Sequence, residues 1–382
     1  MKVLSVIWKI PDDRLEGFAD GANGLIVVRD LCEYIGRKIE SYLLLGKEYL
    51  PAMKIGNIHI VDSKSVADKY INKSHLEIMI LAFKKALDNI NADIVHIHDC
   101  GDFCRACIKI CIERKIPYVF TAHAFIGKEQ KLSNVNDRDI IWQKEIYTIP
   151  NINIVAVGKG LAGKIFTEYS NLNPEQIKVI QNGTDFKADI IKKELKAELK
   201  LNGKKLLICP GTLTMRKNQL QIVRAFKILP QEVKEKIGVV FCGNDRINGM
   251  LQTEIKNAGL ENSIKYVGVL SSLQMKEYYS ISDGFIMASI TEGLSIAALE
   301  AITYGLPLIM FSDVECAVDF DNNYISCFAK ERTDKALADA IERWAYKDWN
   351  RDFILEYAKY FFMERVADEY MEYYRNILNR KG

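Results

Sequence analysis

Along this chain, short apolar runs that suit buried strands alternate with longer stretches whose apolar residues recur at helical spacing. The alternation runs through twice. In the first half, residues 2–8, 41–45, 58–61, 93–99, 117–121, 152–157 and 178–181 read as strands. Residues 25–35, 75–90 and 160–169 read as helices. In the second half, strands are expected at 206–209, 239–242, 264–266, 283–288 and 308–311, with helices at 219–228, 272–280, 296–302 and 330–344. The Lys- and Glu-rich stretch 186–205 between the halves reads as a solvated linker helix, and 352–380 as a long, aromatic-rich helical region. Strands alternating with helices predict parallel sheets flanked by helices, once per half.

The most informative unit is Thr291-Glu292-Gly293-Leu294-Ser295 and the helix after it. An apolar strand runs into a turn that Gly293 allows, Ser295 is an N-cap candidate, and Gly305-Leu306-Pro307 stops the helix. Glu292 lies in the turn and Glu300 inside the helix, at most roughly 12 Å apart along its axis. A helix N-terminus offers N–H groups and partial positive charge to phosphate, and carboxylates suit sugar hydroxyls. A carboxylate on each side of a phosphate seat outlines a nucleotide sugar. A second phosphate element precedes the 219–228 helix, where Gly211-Thr212 is followed by the basic pair Arg216-Lys217.

Composition narrows the class. The chain has 382 residues, enough for two domains, with 49% hydrophobic and 27% charged residues, as in globular proteins. A net charge of +2 argues against a dedicated nucleic-acid binder. No apolar run reaches the length of a membrane span, and residues 1–10 lack a signal-peptide pattern. The expectation is a cytoplasmic protein, attached if at all to the inner face of a membrane.

The E-x7-E arrangement from Glu292 to Glu300 resembles the signature of retaining, nucleotide-sugar-dependent glycosyltransferases of the GT-B fold, the large family known as glycosyl transferases group 1 or family 4. Further likenesses extend over nearly the whole chain. Thr121-Ala122-His123 resembles the family's T-x-H phrase, and Asn182-Gly183-Thr184-Asp185 its NG-x-D turn closing the first domain. Residues 211–217 resemble the G-R-x4-K loop, with Lys217 in the lysine position but Thr212 where the family has arginine. Arg216 is the candidate substitute.

The resemblance implies an α/β GT-B fold: two Rossmann-like domains facing a cleft, spanning 1–186 on the acceptor side and 187–356 on the donor side. A helix in 357–382 crosses back to the first domain. It implies transfer of a sugar from a nucleoside-diphosphate sugar, such as a UDP- or GDP-sugar, to a hydroxyl acceptor, with retention and with no metal or other cofactor. The acceptor is a glycan, a lipid-linked molecule or a small molecule. Lys217, Glu292 and His123 are the expected catalytic group. Arg216, Lys217, Gly211, Thr212, Asn244, Gly293, Leu294, Ser295 and Glu300 are expected at the donor, Glu300 on its ribose. Gly24, after Asn23, stands in a loop where the family commonly has a glycine pair. A phosphorylase, a nucleotide-sugar epimerase and a non-catalytic nucleotide-sugar-binding protein remain open.

Other patterns weigh less. Cys100, Cys104 and Cys107 have the C-x3-C-x2-C spacing of iron–sulfur ligands, but with Cys111 they also fit one buried helix face, the preferred reading. His96 and His98 share a strand face and read as buried or hydrogen-bonded histidines. Asp137-Arg-Asp139 and Asp319-Phe-Asp321 match a DxD metal motif by letters alone. Residues 130–139 read as a mobile loop.

Overall fold

The computed structural model describes residues 1–8, 26–98, 100–127, 137–185 and 194–380. The described residues of Met1–Ile126, Asn136–Asp185 and Phe361–Gly382 form one compact unit, and those of Phe186–Tyr360 form most of a second.

The first unit opens with β1 (Lys2–Ile7), α1 (Ile26–Gly36), β2 (Glu40–Leu45), and a β3–β4 hairpin (Met53–Ile55, Ile58–Ile60). It continues through α2 (Lys64–Lys69), α3 (His75–Ile90), β5 (Ile94–Ile97), α4 (Asp102–Glu113), β6 (Tyr118–Ala122), α5 (Asp137–Tyr147), β7 (Ile154–Ala156), α6 (Lys159–Glu168) and β8 (Ile177–Val179). The sheet order is β3-β4-β2-β1-β5-β6-β7-β8, parallel except for the hairpin. Parallel strands are covered on both faces, and Val3 to Ile7 are buried accordingly. α3 starts on a capping box in which Ser74 and Glu77 satisfy each other's backbone N–H. In α4, Cys104, Cys107 and Cys111 point into the core with Phe103 and Ile108.

The second unit contains α7 (Leu195–Glu198), β9 (Lys205–Pro210), α8 (Gln219–Lys227), α9 (Gln231–Lys236), β10 (Ile237–Cys242), α10 (Met250–Asn257), β11 (Ile264–Tyr266) and α11 (Ser272–Ile281). Then come β12 (Gly284–Ile286), α12 (Ile296–Thr303), β13 (Leu308–Phe311), β14 (Ser326–Ala329), α13 (Asp334–Tyr346) and α14 (Arg351–Ala358). Its parallel sheet has the order β11-β10-β9-β12-β13-β14. β9, where the chain enters, is central, and β12 beside it leads into the Glu292 turn. One face is closed by α8, α10 and α13, with Phe226, Phe241, Ile286, Ile341 and Trp344 in one core. Both units are therefore α/β and Rossmann-like.

The region 352–380, expected as one helical stretch, breaks in two. α14 belongs to the second unit, where Tyr357 donates its hydroxyl to the Asp319 carbonyl. A 3-10 turn at Lys359–Phe361 and an extended Phe362 follow. α15 (Met363–Asn379) then packs on α1 in the first unit, burying Val366, Tyr370, Met371, Tyr374 and Ile377. Its entry is clamped on the N-G-T-D turn: Thr184 N–H donates to Phe361 O (2.8 Å), and Met363 N–H to Thr184 O (3.2 Å). Tyr34 of α1 donates to Asp185 at the same place. The loop expected over 130–139 lies largely outside the described residues, and from Asp137 onward it is helix α5. Among the described residues, no helix is long and apolar enough to cross a membrane.

Gly284 starts β12 beneath the indole of Trp344. A Cβ there would lie 2.5 Å from Trp344 Nε1. Gly284→Ala is expected to cost roughly 1–3 kcal/mol through overpacking, read as a lower urea midpoint with circular dichroism showing the same secondary structure at zero denaturant.

Candidate active site

In the second unit the chemistry gathers on loops after β9 and β12. Parallel strands point their carboxyl ends the same way, so the two loops meet, as open α/β sheets do at ligand sites. The β9 loop carries Arg216 and Lys217, and the β12 loop Glu292. Lys217 Nζ pairs with Glu292 Oε1, and an Arg216 guanidinium nitrogen lies 3.3 Å from the same oxygen. Arg216 also donates to Thr291 O (2.8 Å), and its own carbonyl accepts from Ile290 N–H (2.9 Å). Ser289 Oγ adds a 3.2 Å bond to Glu292. The Glu292 side chain is 13% exposed. Burial alone would raise its pKa. Lys217, Arg216 and the hydrogen bonds from Lys217 and Ser289 outweigh that and hold the carboxyl below its usual range.

Two residues without a motif hold this turn. The Glu315 carboxylate accepts from Thr291 Oγ1 and from Glu292 N–H, both at 2.9 Å. Arg332 donates to Ser289 O (3.0 Å) and Ile290 O (3.1 Å) while bonding Asp313 (2.7 Å). The turn carrying Glu292 is thus fixed by a carboxylate on its N–H side and a guanidinium on its carbonyls.

Gly211 and Gly243 end the neighbouring strands β9 and β10 in the same conformation, φ +135°. A Cβ on Gly243 would fall 2.3 Å from Gly211 O, so the two loops nest backbone to backbone. Gly211 N–H donates to Cys242 O, and Leu213 N–H to Asn244 O, each at 2.8 Å. Thr212 is tied through its carbonyl, which accepts from Gln219 Nε2 (3.2 Å). Gly293, Leu294 and Ser295 are buried, and Ser295 Oγ caps α12 by accepting Ala298 N–H at 3.3 Å. Glu300 accepts from Tyr279 OH (2.8 Å). Burial, then the Glu300 charge, pushes the Tyr279 phenol well above its ordinary value.

The first unit holds a second cluster at the ends of β5 and β6. His96 is bonded on both ring nitrogens, to Tyr374 OH and to Thr121 Oγ1, each 2.6 Å away. His98 Nδ1 lies 3.3 Å from His123 Nε2. Burial, joined by the other rings' charges, keeps His96 and His98 well below the ordinary histidine value. Burial pushes His123 down to about 4. All three are neutral at pH 7.

Gly24, Asp99 and residues 128–136 lie outside the described residues. Asp319 is buried in a 3-10 turn and Asp321 is exposed. Among the described residues, no group of three or more His, Cys, Asp or Glu side chains is arranged to hold a metal ion. Among the described residues, Cys100, Cys104, Cys107 and Cys111 form no disulfide.

Each unit is a parallel α/β sheet with polar side chains gathered on the loops at its strand ends. Residues 26–188 match the model described as Glycosyltransferase Family 4, and residues 191–360 that described as Glycosyl transferases group 1. The chain belongs to these glycosyltransferases. It is 22% identical to an uncharacterized glycosyltransferase of Methanocaldococcus jannaschii, covering all of both chains. Among solved structures, its fold is similar to sucrose-phosphate synthase from Thermosynechococcus elongatus (TM-score 0.76, 16% identity, all of both chains). It is also similar to Anabaena HepE in complex with UDP and glucose (TM-score 0.71, 12% identity, 98% of this chain and 100% of that one). The shared architecture is GT-B.

Two outcomes follow from the geometry. Glu315→Ala strips acceptors from a buried N–H and a hydroxyl, which should cost about 1–3 kcal/mol in urea unfolding. The histidines give a pH dependence. Their folded pKa values lie below the ordinary 6.5, so the unfolded chain takes up protons first. Stability is full above pH 6.5 and falls as the pH drops toward 4. Each such histidine adds a slope of up to about 1.4 kcal/mol per pH unit. Urea midpoints measured from pH 7.5 to 5 should decline, and a flat profile would show the histidines to be unperturbed.

Proposed function

We propose that this glycosyltransferase moves a sugar from a nucleoside-diphosphate sugar to a hydroxyl acceptor with retention of configuration, and that it needs no metal ion. The observation that carries the reading is the Glu292 carboxylate held between Lys217 and Arg216. A leaving diphosphate needs two nearby cations, and a sugar needs a carboxylate for its hydroxyls. This loop pair supplies both. Lys217 and Arg216 neutralise the charge that develops on the leaving diphosphate, which is the work a divalent cation does elsewhere. The α12 N-terminus, with Gly293, Leu294 and Ser295, assists. Glu300 takes the ribose hydroxyls, exchanging or sharing the Tyr279 hydrogen bond. Glu292 and His123 orient the transferred sugar. Gly211, Thr212 and Asn244 shape the backbone around the diphosphate.

The cations that would meet the diphosphate are the ones that Glu292 already neutralises. Diphosphate and Glu292 therefore compete for them, and diphosphate binding hands the carboxylate over to the sugar. That sets Glu292 apart from an ordinary binding residue. Its loss should help the nucleotide and harm the transfer.

A thermal-shift screen of nucleotide sugars identifies the donor, starting with UDP-glucose because a structure of similar fold was solved with UDP and glucose. Ligand at 100 times its dissociation constant should stabilise by about 2.7 kcal/mol. Lys217→Ala is expected to weaken donor binding by about 10- to 100-fold in calorimetry, the loss of a charge-assisted contact. Glu292→Gln is expected to bind the free nucleoside diphosphate roughly 2- to 10-fold more tightly while transferring sugar more slowly. Unchanged nucleotide affinity in both variants would place the diphosphate elsewhere. Transfer should proceed undiminished in EDTA, and the product's anomeric configuration, read by NMR, should match the donor's.

A further inference from the structure

The histidines of the first unit form a column with a bonded base and two unpartnered nitrogens at its top. At the base, His96 has partners on both nitrogens, Tyr374 OH from α15 and Thr121 Oγ1 from β6. Thr121 Oγ1 in turn lies 3.4 Å from Tyr370 OH. The His98 ring lies on the His96 ring, with centroids 3.7 Å apart. Its Nδ1 meets His123 Nε2 at 3.3 Å. Among the described residues, His98 Nε2 and His123 Nδ1 are buried atoms without a hydrogen-bond partner. His98 as a residue is only 2% exposed. An unpaired buried nitrogen is costly. Two of them, on rings joined by one hydrogen bond, point to a device rather than an accident of packing.

We propose that His98 is a positioning residue that sets the tautomer of His123, and so decides whether His123 offers a donor or an acceptor at Nδ1. The proposal rests on His123 serving the sugar. Counting protons gives the coupling. A neutral imidazole carries one N–H. If His98 Nδ1–H donates to His123 Nε2, then His98 Nε2 is bare and His123 must carry its proton on Nδ1. If His123 Nε2–H donates instead, His98 carries its proton on Nε2 and His123 Nδ1 is bare. In both cases the two rings hold the same tautomer. The two arrangements carry the same net charge and differ in which of the two outer nitrogens bears a proton. Sugar hydroxyls both donate and accept, so they suit His123 Nδ1 in whichever state the shared bond sets. His96, locked by Tyr374 and Thr121, is the fixed floor that keeps the His98 ring in register.

The test is nitrogen NMR of histidine-labelled protein, tractable because the chain has only five histidines. In the wild type, His98 and His123 are expected in matching tautomers. His98→Phe keeps a ring of similar bulk on His96 but removes the bond, and His123 should then populate both tautomers, with intermediate shifts on its two nitrogens. His98→Asn places an amide near the lost Nδ1 and should shift the two His123 nitrogens back toward their wild-type positions. Opposite tautomers in the wild type, or a His123 spectrum unchanged in His98→Phe, would overturn the proposal. If His98→Phe does not fold, the wild-type spectrum and His98→Asn decide it alone. His123→Ala is assayed beside them with UDP-glucose. Unchanged turnover there would remove the sugar-side role of His123 and leave the coupling of the two rings standing.

Discussion

Two cations on one loop share one carboxylate on the next, and much of the second unit serves that contact. β9 and β12 are adjacent in the sheet, so the loops bearing Arg216-Lys217 and Glu292 begin side by side. A partly buried carboxylate between two cations is stable only in good geometry, since desolvation otherwise cancels the attraction. The geometry comes from Glu315 and Arg332, which hold the Glu292 turn by its backbone and leave its side chain to the cations. The nested glycines at 211 and 243 hold the partner loop in the same manner, through main chain alone. Opposite charges are thereby held together by two loops that are each fixed through their main chain.

Much of this was legible in the sequence where the signal is local. Apolar runs marked most of the strands because parallel strands are buried on both faces. The turn at Gly293 and the cap at Ser295 were marked by their residue types, and the helix α12 follows them. What sequence reading missed is long-range, short or polar. Three-residue β3, four-residue β14 and six-residue α2 and α9 carry too little periodicity to register, and α5 and α10 are rich in charged and amide side chains. Glu315 and Arg332 lie 23 and 40 residues beyond Glu292 with no pattern linking them to it; only the fold brings them back. The same holds for Tyr374 and His96, 278 residues apart. The aromatics of α15 were legible as packing, but their hydroxyls as hydrogen-bond partners were not.

The departure at Thr212 takes a physical form in the structure. The threonine backbone is tied to Gln219 and its neighbourhood is set by Gly211 and Gly243. The Arg216 guanidinium shares Glu292 with Lys217 and also reaches Thr291 O. Positive charge at this loop is thus two adjacent side chains on one turn rather than two residues separated by a loop, and both are tethered to the same acid.

The chain's route through its units carries a consequence for its birth. The second unit is drawn chiefly from one continuous stretch, whereas the first unit takes its final helix from the far end of the chain. During synthesis, α1 and the β5–β6 histidines wait for Tyr370 and Tyr374 until the entire second unit has left the ribosome. Until then His96 lacks the hydroxyl on its Nδ1, and the apolar face of α1 lacks its cover. Nascent chains of this protein therefore spend the time needed to make some 180 residues, about 10–40 s at 5–20 residues per second, with the first unit lacking its last helix.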